Sequence, residues 1–497
     1  MMRDIDVPLL RSAFRTLNRE QHHIATTPPK WAEVFAPEGH EGALDPHRTI
    51  VIGDRGTGKS FWSSVLVNDE LKKRIADIYP RLRLLDVQCK LGFSSDTINE
   101  SYPSPQEIAD ILSKGYSADQ LWRAVLIRLS PVPLTETPVP SESWMATTRW
   151  IAEDPAHRNG ALRELDKRLT EEGKVYVLVF DSLDVIARDW GAIRVQMEGL
   201  LQLALAVKAL RRVRLKLFIR PDMADDRRMW MVGDASKLRH DEVQLRWTRR
   251  DLYGMLWTHI ANPAVSQEDD AAEAFRGLTE RVLGQAYQRE EELWRIPHSL
   301  RDGEAGQRDL FHVLAGPYMG AGNKTGDTYL WVPNHLADAA GNAAPRSFIL
   351  AMRRASETSV SESKVLDRSG IEDGVREASK IRLAELGEDY KWMHDVLGSL
   401  AGLTVPIGRD DLARRWQERG ILQKLQAAAS QNSSDLRFIP PSEVLEASTE
   451  WEAYDKLIES LRTLRIVLEI PDERINMPDL FRIEANVKRR GGMKPRQ

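Results

Sequence analysis

The sequence predicts an α/β fold whose centre is a five-stranded parallel sheet, followed by a helical domain and a smaller domain with a β-hairpin. Three observations indicate this fold class. Five short apolar runs lie within the first 247 residues, and helical patterns separate them. A glycine-rich loop follows the first run directly and leads into a helical pattern. The remainder of the 497 residues is mainly helical in pattern, and this length fits about three domains.

The five runs are short and bounded by polar or breaker residues, which is typical of buried strands. The predicted strands are residues 49–53, 83–89, 175–180, 215–219 and 242–247. A helix predicted at 193–211 lies between the third and fourth strands, so we expect parallel strands joined by helical crossovers. The segment 131–143 contains four prolines, which disfavour a helix, and it predicts a surface insertion.

Beyond residue 247 the helical patterns predict two further domains and a tail. The first has helices at 250–262 and 269–288, a loose glycine-rich stretch at 298–328 and a helix from Pro345 to residue 356. The second has helices at 389–403, 409–426 and 451–464, then strands at 466–470 and from 475 onward. Three helices followed by a hairpin resemble a winged helix. The predicted borders are therefore 1–248, 249–385, 386–483 and a basic tail at 484–497.

Composition excludes several classes of protein. Lys and Arg total 70 against 74 Asp and Glu, so the net charge of −4 excludes a uniformly basic surface. The single cysteine, Cys89, excludes an intrachain disulfide and a cysteine-built zinc site. No apolar run reaches the roughly 18 residues that a membrane span needs. We expect a cytoplasmic protein with no membrane association.

The glycine-rich loop reads Gly53-Asp-Arg-Gly-Thr-Gly58-Lys59-Ser60, which fits the phosphate-loop pattern between a strand and a helix. Glycines allow backbone N–H groups to converge on phosphate oxygens, and the positive end of the helix faces the same anion. Lys59 is expected to reach the β and γ phosphates, and the Ser60 hydroxyl to bind Mg²⁺. The predicted ligands are ATP and Mg²⁺. The residues expected to contact the nucleotide are Gly53, Arg55, Gly56, Thr57, Gly58, Lys59, Ser60 and Phe61.

Residues at the ends of two later strands are candidates for the same site. Asp181 directly follows the apolar run 175–180, so a second Mg²⁺ ligand is expected there, although a simple turn aspartate is the alternative. Arg220 follows the run 215–219 and could contact the γ phosphate, or could instead pair with Asp222. Arg346 lies in the first turn of a predicted helix and could reach the nucleotide on domain closure, or could be a surface arginine.

These elements together resemble the AAA+ and STAND group of P-loop ATPases, and the fold class they imply is a P-loop NTPase with a helical lid and a C-terminal winged-helix domain. An arginine at the position of Arg220 resembles the STAND sensor more than the asparagine usual in AAA+ proteins. Hydrolysing relatives often carry glutamate directly after the metal-binding aspartate. Here that residue is Ser182, so Asp184 is the nearest catalytic candidate and a turn-capping role is the alternative. The departure implies a slow, switch-like ATPase.

The resemblance implies three alternatives for the function and partners of this protein. The first is a switch in prokaryotic defence that acts through homo-oligomerisation or a partner effector protein. The second is a DNA-loading or DNA-remodelling ATPase, since residues 474–497 carry a net charge of +5 while the first 473 carry −9. Acidic residues offset the arginines of the predicted helix 409–426, so a packing role is favoured for the winged helix. The third is a nucleotide-stabilised scaffold that scarcely hydrolyses ATP.

Overall fold

The computed structural model describes residues 5–17, 25–96, 98–187, 189–263, 269–432 and 435–490. They divide into two compact units. The sheet unit comprises Ala36–Arg246 with the described part of His22–Trp31. The helical unit comprises Trp247–Gln497, Ala32–Phe35 and Met1–Gln21, so far as these are described. The division at residue 246 lies close to the predicted border at 248, but the N-terminal helix α1 (Val7–Arg15) belongs to the helical unit.

The sheet unit is built from five strands and ten helices within its described ranges. The strands are β1 (Ile50–Ile52), β2 (Val87–Phe93), β3 (Val175–Phe180), β4 (Val213–Ile219) and β5 (Val243–Gln244). The helices are α2 (Glu41–Leu44), α3 (Lys59–Val67), α4 (Asp69–Ile78), α5 (Pro105–Ser113), α6 (Ala118–Arg128), α7 (Trp144–Glu153), α8 (Pro155–Glu171), α9 (Trp190–Val207), α10 (Pro221–Asp225) and α11 (Ser236–Arg239).

The strands form one parallel sheet in the order β2-β3-β4-β1-β5, which confirms the predicted five-stranded α/β fold. All six residues of β3 are buried because both faces of this inner strand are covered. Trp122 of α6 packs its ring edge against Phe180 at the end of β3, with 5.4 Å between centroids. The core of the unit thus fixes the end of β3, where Asp181 follows.

The second strand begins four residues later than predicted. Residues Pro80–Leu82 and Leu84–Asp86 form two short 3₁₀ turns, and Arg83 between them has a left-handed φ of 49°. This conformation interrupts an extended chain, so β2 starts only at Val87. The proline-rich segment 131–143 contains no helix or strand, as its four prolines predict, and its role as a surface insertion stays a prediction. The buried carboxylate of Glu164 accepts hydrogen bonds from the N–H groups of Thr135 (2.7 Å) and Glu136 (3.0 Å), which fixes this segment to α8.

The helical unit continues from α1 with further helices and short strands. Its helices are α12 (Arg249–Ala261), α13 (Asp269–Leu283), α14 (His298–Arg301), α15 (Glu304–Ala315), α16 (Thr328–Leu336), α17 (Pro345–Thr358), α18 (Arg368–Asp389), α19 (Met393–Gly398), α20 (Arg409–Glu418), α21 (Ile421–Gln431), α22 (Ser442–Leu445), α23 (Glu450–Thr463) and α24 (Asp479–Arg482). Its strands are β6 (Gln288–Glu290), β7 (Leu293–Arg295), β8 (Thr404–Val405), β9 (Leu468–Glu469), β10 (Ile475–Asn476) and β11 (Lys488–Arg489).

Four predictions for this unit need correction. The predicted helix 269–288 ends at Leu283, because Gly284 has a left-handed φ of 67°, and Gln288 belongs to β6. The stretch 298–328 is not loose throughout, because α15 buries Leu310, Phe311 and Leu314 and leaves only residues 316–327 as a loop. The predicted helix 409–426 is two helices, since Gly420 between α20 and α21 has a left-handed φ of 61°. Of the predicted helix 389–403, residues 393–398 form α19, and Asp389 instead ends α18.

The C-terminal hairpin is present: β9 and β10 pair antiparallel, with Ile475 opposite Glu469. The tail does not begin as a free arm, because β11 pairs in parallel with β8. Residues 491–497, which include Lys494 and Arg496, lie outside the described residues. Buried apolar side chains form one continuous cluster from Leu10 to Val487, and α18 runs across residue 385. The division into lid, winged helix and tail stays a prediction. None of the helices in the described ranges is long and apolar enough to cross a bilayer.

Candidate nucleotide site

Three strands of the sheet unit end in candidate functional residues. β1 leads into the loop 53–60, β3 ends before Asp181, and β4 ends before Arg220. Because the strands are parallel, these ends lie at the same edge of the sheet. Two backbone hydrogen bonds fix their positions: Gly53 N–H donates to Ile219 O (3.1 Å) and Asp181 N–H donates to Phe93 O (3.0 Å). The fold therefore brings together the residues that the sequence placed far apart.

The loop 53–60 has a backbone conformation that only glycine adopts readily at Gly58. Gly58 has φ 101°, which side chains rarely adopt, and a Cβ on Gly53 would lie 2.5 Å from the Thr57 hydroxyl. The backbone N–H groups of Gly56, Gly58, Lys59 and Ser60 donate no hydrogen bond to any described residue. These donors cluster at the N-terminus of α3, where the helix dipole favours negative charge. The arrangement fits a phosphate group.

Backbone carbonyl groups of the loop hold the Lys59 side chain in place. Its ammonium group donates to the carbonyl oxygens of Gly53 (2.8 Å) and Asp54 (3.1 Å). Burial lowers the pKa of Lys59, and the nearby carboxylates of Asp184 and Asp181 oppose that shift. Because burial disfavours the charged form of Lys59, a negatively charged phosphate would stabilise its ammonium group.

The other predicted contact residues have different local roles. The Thr57 hydroxyl donates to Asp54 O (2.8 Å) and so braces the turn. Phe61 packs edge-on against Trp62, with 5.2 Å between ring centroids. Arg55 lies in the loop and is partly exposed. Contact of Arg55 and Phe61 with a nucleotide stays a prediction.

Asp181 is almost completely buried, with 1% of its surface exposed. The Ser182 hydroxyl donates to Oδ2 (2.9 Å), whereas Oδ1 is enclosed and has no hydrogen-bond partner among the described residues. Burial raises the pKa of Asp181, and the Ser60 hydroxyl and Lys59 oppose this rise. A buried carboxylate oxygen without a donor suits a cation, and the Ser60 hydroxyl is the second protein ligand expected here. The described residues contain no cluster of three His, Cys, Asp or Glu that could hold a metal.

Asp184 and Arg220 form an ion pair that also includes Asp222. Arg220 donates through Nη1 to Asp184 Oδ2 (3.1 Å), and through Nε and Nη2 to both oxygens of Asp222 (3.2 and 2.9 Å). The Arg220 side chain is only 12% exposed. Burial alone would raise the pKa of Asp184, but Arg220 and Lys59 outweigh it and the pKa is lowered. The pairing of Arg220 with Asp222 that the sequence left open is therefore present, together with a second contact to Asp184.

Two features of this edge were not identified from the sequence as functional. Asp222 occupies one side of the Arg220 fork and fixes the direction of the guanidinium. Ser182 adopts a left-handed conformation (φ 56°, ψ 37°), which turns the chain sharply after Asp181. The position of Asp222, two residues after Arg220 at the end of β4, was a usable signal for its role. Nothing in the sequence indicates the conformation of Ser182.

A buried histidine, His40, is hydrogen-bonded to a tryptophan of α3. Trp62 donates its indole N–H to His40 Nδ1 (3.0 Å), so the imidazole proton belongs on Nε2, which faces Arg246 O at 3.0 Å. Burial lowers the pKa of His40 to about 4, so it is neutral at pH 7. This chain of hydrogen bonds links α3 to the end of β5, and no sequence motif indicated it.

Arg346 lies in the first turn of α17 in the helical unit, as predicted. Its Nη1 is 2.8 Å from Glu385 Oε1, and Arg382 contacts the other oxygen of the same carboxylate (3.3 Å). Arg346 is thus engaged within its own unit. Its approach to a nucleotide stays a prediction.

No protein-family model and no curated protein matches this sequence. Among solved structures, the chain is similar to a Walker-type ATPase of Pyrococcus abyssi, at 11% identity and a TM-score of 0.37, over 91% of this chain and 96% of that one. It is also similar to the ORC2 protein of Aeropyrum pernix in ADPNP and ADP complexes, at 15% identity and a TM-score of 0.39, over 94% of both chains. A third similarity is to Cdc6p of Pyrobaculum aerophilum, at 12% identity and a TM-score of 0.30, over 92% of this chain and 93% of that one.

All three TM-scores are below 0.5, so the function proposed below depends on the loop and sheet of this chain. The strand order and the loop between β1 and α3 give the sheet unit a P-loop fold.

Proposed function

We propose that this chain binds Mg·ATP in the loop 53–60 and hydrolyses it slowly, as a nucleotide-dependent switch. One observation carries the proposal: backbone N–H groups at the start of α3 and a buried carboxylate oxygen, none of which has a hydrogen-bond partner among the described residues, lie at the same sheet edge. The first feature suits phosphate and the second suits a metal ion. The buried oxygen is costly to keep in a folded protein without a ligand.

The roles of the residues follow from their positions. The N–H groups of Gly56, Gly58, Lys59 and Ser60 would hold phosphate oxygens, and the Lys59 ammonium would leave the loop carbonyls to contact the terminal phosphates. Ser60 and Asp181 would hold Mg²⁺. When bound, the metal neutralises charge that develops on the γ phosphate.

Slow hydrolysis is inferred from the residues that follow Asp181. The position directly after it carries Ser182, whose hydroxyl is already engaged with Asp181. Asp184 is the nearest carboxylate that could orient a water molecule, and Arg220 neutralises it at 3.1 Å. For Asp184 to act, Arg220 would have to turn toward another anion. A γ phosphate offers that anion, so the Arg220 pair would report whether ATP or ADP is bound.

The output of the switch is inferred from the resemblance to STAND-like ATPases: oligomerisation or engagement of a partner protein, in a defence role. The contacts of α20 give less support to the DNA-binding alternative. Arg409 is paired with Glu459 (2.8 Å), Arg414 with Asp411 (3.3 Å), and Arg415 donates to two backbone carbonyls. Few guanidinium groups of this helix are left for DNA phosphates.

Phosphate release from Mg·ATP by the purified chain tests the proposal. We expect slow, Mg²⁺-dependent turnover. Asp184→Asn should reduce turnover by about 10- to 100-fold while nucleotide affinity changes by less than about threefold, because the carboxylate would act on water rather than on bound ATP. Equal turnover in both proteins would assign Asp184 to the Arg220 ion pair alone. No nucleotide-dependent activity or binding at all would contradict the proposed function.

A further inference from the structure

A cleft of about 660 Å³ lies in the sheet unit at the edge opposite to the loop 53–60. Val87 and Val175, the first residues of β2 and β3, line it. The volume lies within the range of small-molecule sites. Its charged lining residues include Glu41, Arg48, Arg81, Arg83, Asp86 and Arg212.

Three of the arginines have no partner in the described parts of the chain. The guanidinium groups of Arg81, Arg83 and Arg212 form no ion pair and donate no hydrogen bond there. Of the lining carboxylates, Asp86 lies 3.7 Å from Lys174 and Asp45 lies 3.9 Å from Arg48, which also lines the cleft, whereas Glu41 forms no ion pair with the described residues. Four arginines and three carboxylates line the cleft, so its lining carries a net charge of +1, and no ion pair among the described residues neutralises the three unpaired guanidinium groups.

The walls that carry these arginines are held in place by the backbone. Arg83 keeps a left-handed φ of 49° between two 3₁₀ turns, a conformation unfavourable for a residue with a side chain. The N–H of Arg212 donates to Asp166 Oδ1 (2.7 Å). On the third side, the buried ammonium of Lys216 donates to the carbonyls of Ala43, Asp45 and Arg48 at 2.9, 2.8 and 2.8 Å.

We propose that this cleft binds a small molecule with two or more oxyanion groups, held by Arg81, Arg83 and Arg212. Arginine matches phosphate and carboxylate equally well through paired N–H donors, so the shared chemistry is that of a compact polyanion. The three arginines come from two separate segments of the chain, so a ligand needs at least two anionic groups to reach both. The cleft is independent of the ATP site, and its test does not depend on ATP binding.

Pyrophosphate and citrate serve as the phosphate and carboxylate probes, in isothermal titrations on the full chain. The titrations use the Lys59→Ala protein, so that the loop 53–60 does not compete for the probe. We expect saturable binding of at least one probe at one site per chain, and the preferred probe identifies the anion class. Arg81→Ala, Arg83→Ala and Arg212→Ala should each weaken binding by about tenfold or more, as for a charge-assisted hydrogen bond. Arg211→Ala is the matched control, because Arg211 is exposed beside Arg212 but does not line the cleft.

The Arg83→Gly variant is the control for unfolding, because glycine adopts the left-handed conformation at this position without strain. It should melt at least as high as the parent and still bind the probe about tenfold more weakly. Two results would overturn the proposal: neither probe binds at millimolar concentration, or binding occurs but is unchanged by all three alanine substitutions.

Discussion

Asp181→Asn should stabilise the protein without nucleotide and at the same time reduce its response to Mg·ATP. The carboxylate is 1% exposed, and its Oδ1 has no donor among the described residues. A buried charged oxygen that is left unsatisfied costs about 1–3 kcal/mol or more. Asparagine has nearly the same volume and no charge, and Ser182 can still donate to its carbonyl oxygen. The expected gain in the free energy of unfolding is therefore about 1–3 kcal/mol.

The gain should depend on pH with a defined sign. Burial raises the pKa of Asp181 in the folded protein above its unfolded value of about 3.9. Below that value both states are protonated and the folded state carries no charge penalty. As the pH rises through the folded-state pKa, the folded protein must hold an ionised buried carboxylate and its stability falls. The advantage of the asparagine variant should thus be small near pH 4 and reach its full size at neutral pH.

Urea unfolding followed by circular dichroism from pH 4.5 to 8 measures this difference, with and without Mg·ATP. Asp77→Asn, an exposed aspartate in α4, is the control and should shift stability by less than about 0.5 kcal/mol. A nucleotide-free Asp181→Asn protein less stable than the parent would refute the reasoning about the unsatisfied oxygen. Equal stabilisation of both proteins by Mg·ATP would refute the role of Asp181 in metal binding.

Two further substitutions test the neighbouring contacts. Asp222→Asn removes the bidentate partner that orients Arg220, so ATP turnover should fall by about tenfold with little change in affinity. Asp222→Glu should restore part of the turnover. Steady-state kinetics across ATP concentrations separates the change in turnover from any change in affinity. Lys216→Met leaves three backbone carbonyls of the segment 43–48 without their donor, so the free energy of unfolding should fall by about 2–4 kcal/mol in urea titrations. An unchanged unfolding midpoint would show that these hydrogen bonds make no net contribution to stability.

The phosphate loop and the end of β3 could be predicted from the sequence because each depends on a short, local pattern. Glycines at 53, 56 and 58 with Lys59 specify a backbone shape, and six consecutive apolar residues before Asp181 specify a buried strand. Parallel strand order then places both at one edge. These inferences require no knowledge of side-chain packing.

Other features depend on backbone conformations or on distant contacts that local patterns do not encode. The left-handed conformation of Arg83 shifted β2, and that of Gly420 divided a predicted helix. The bonding of Arg220 to both Asp184 and Asp222 depends on how two strand ends are spaced. The anionic-ligand cleft is assembled from four separate segments, so no single stretch of sequence indicates it.

The most direct test of ATP binding by the loop 53–60 is a thermal or urea melt with Mg·ATP at 100 times its dissociation constant. The folded state should then be stabilised by about 2.7 kcal/mol. Lys59→Ala should abolish that stabilisation, whereas Lys73→Ala, an exposed lysine of α4, should retain it. A parent protein whose melting is unchanged by Mg·ATP, or a Lys59→Ala protein that gains as much as the parent, would contradict nucleotide binding at this loop.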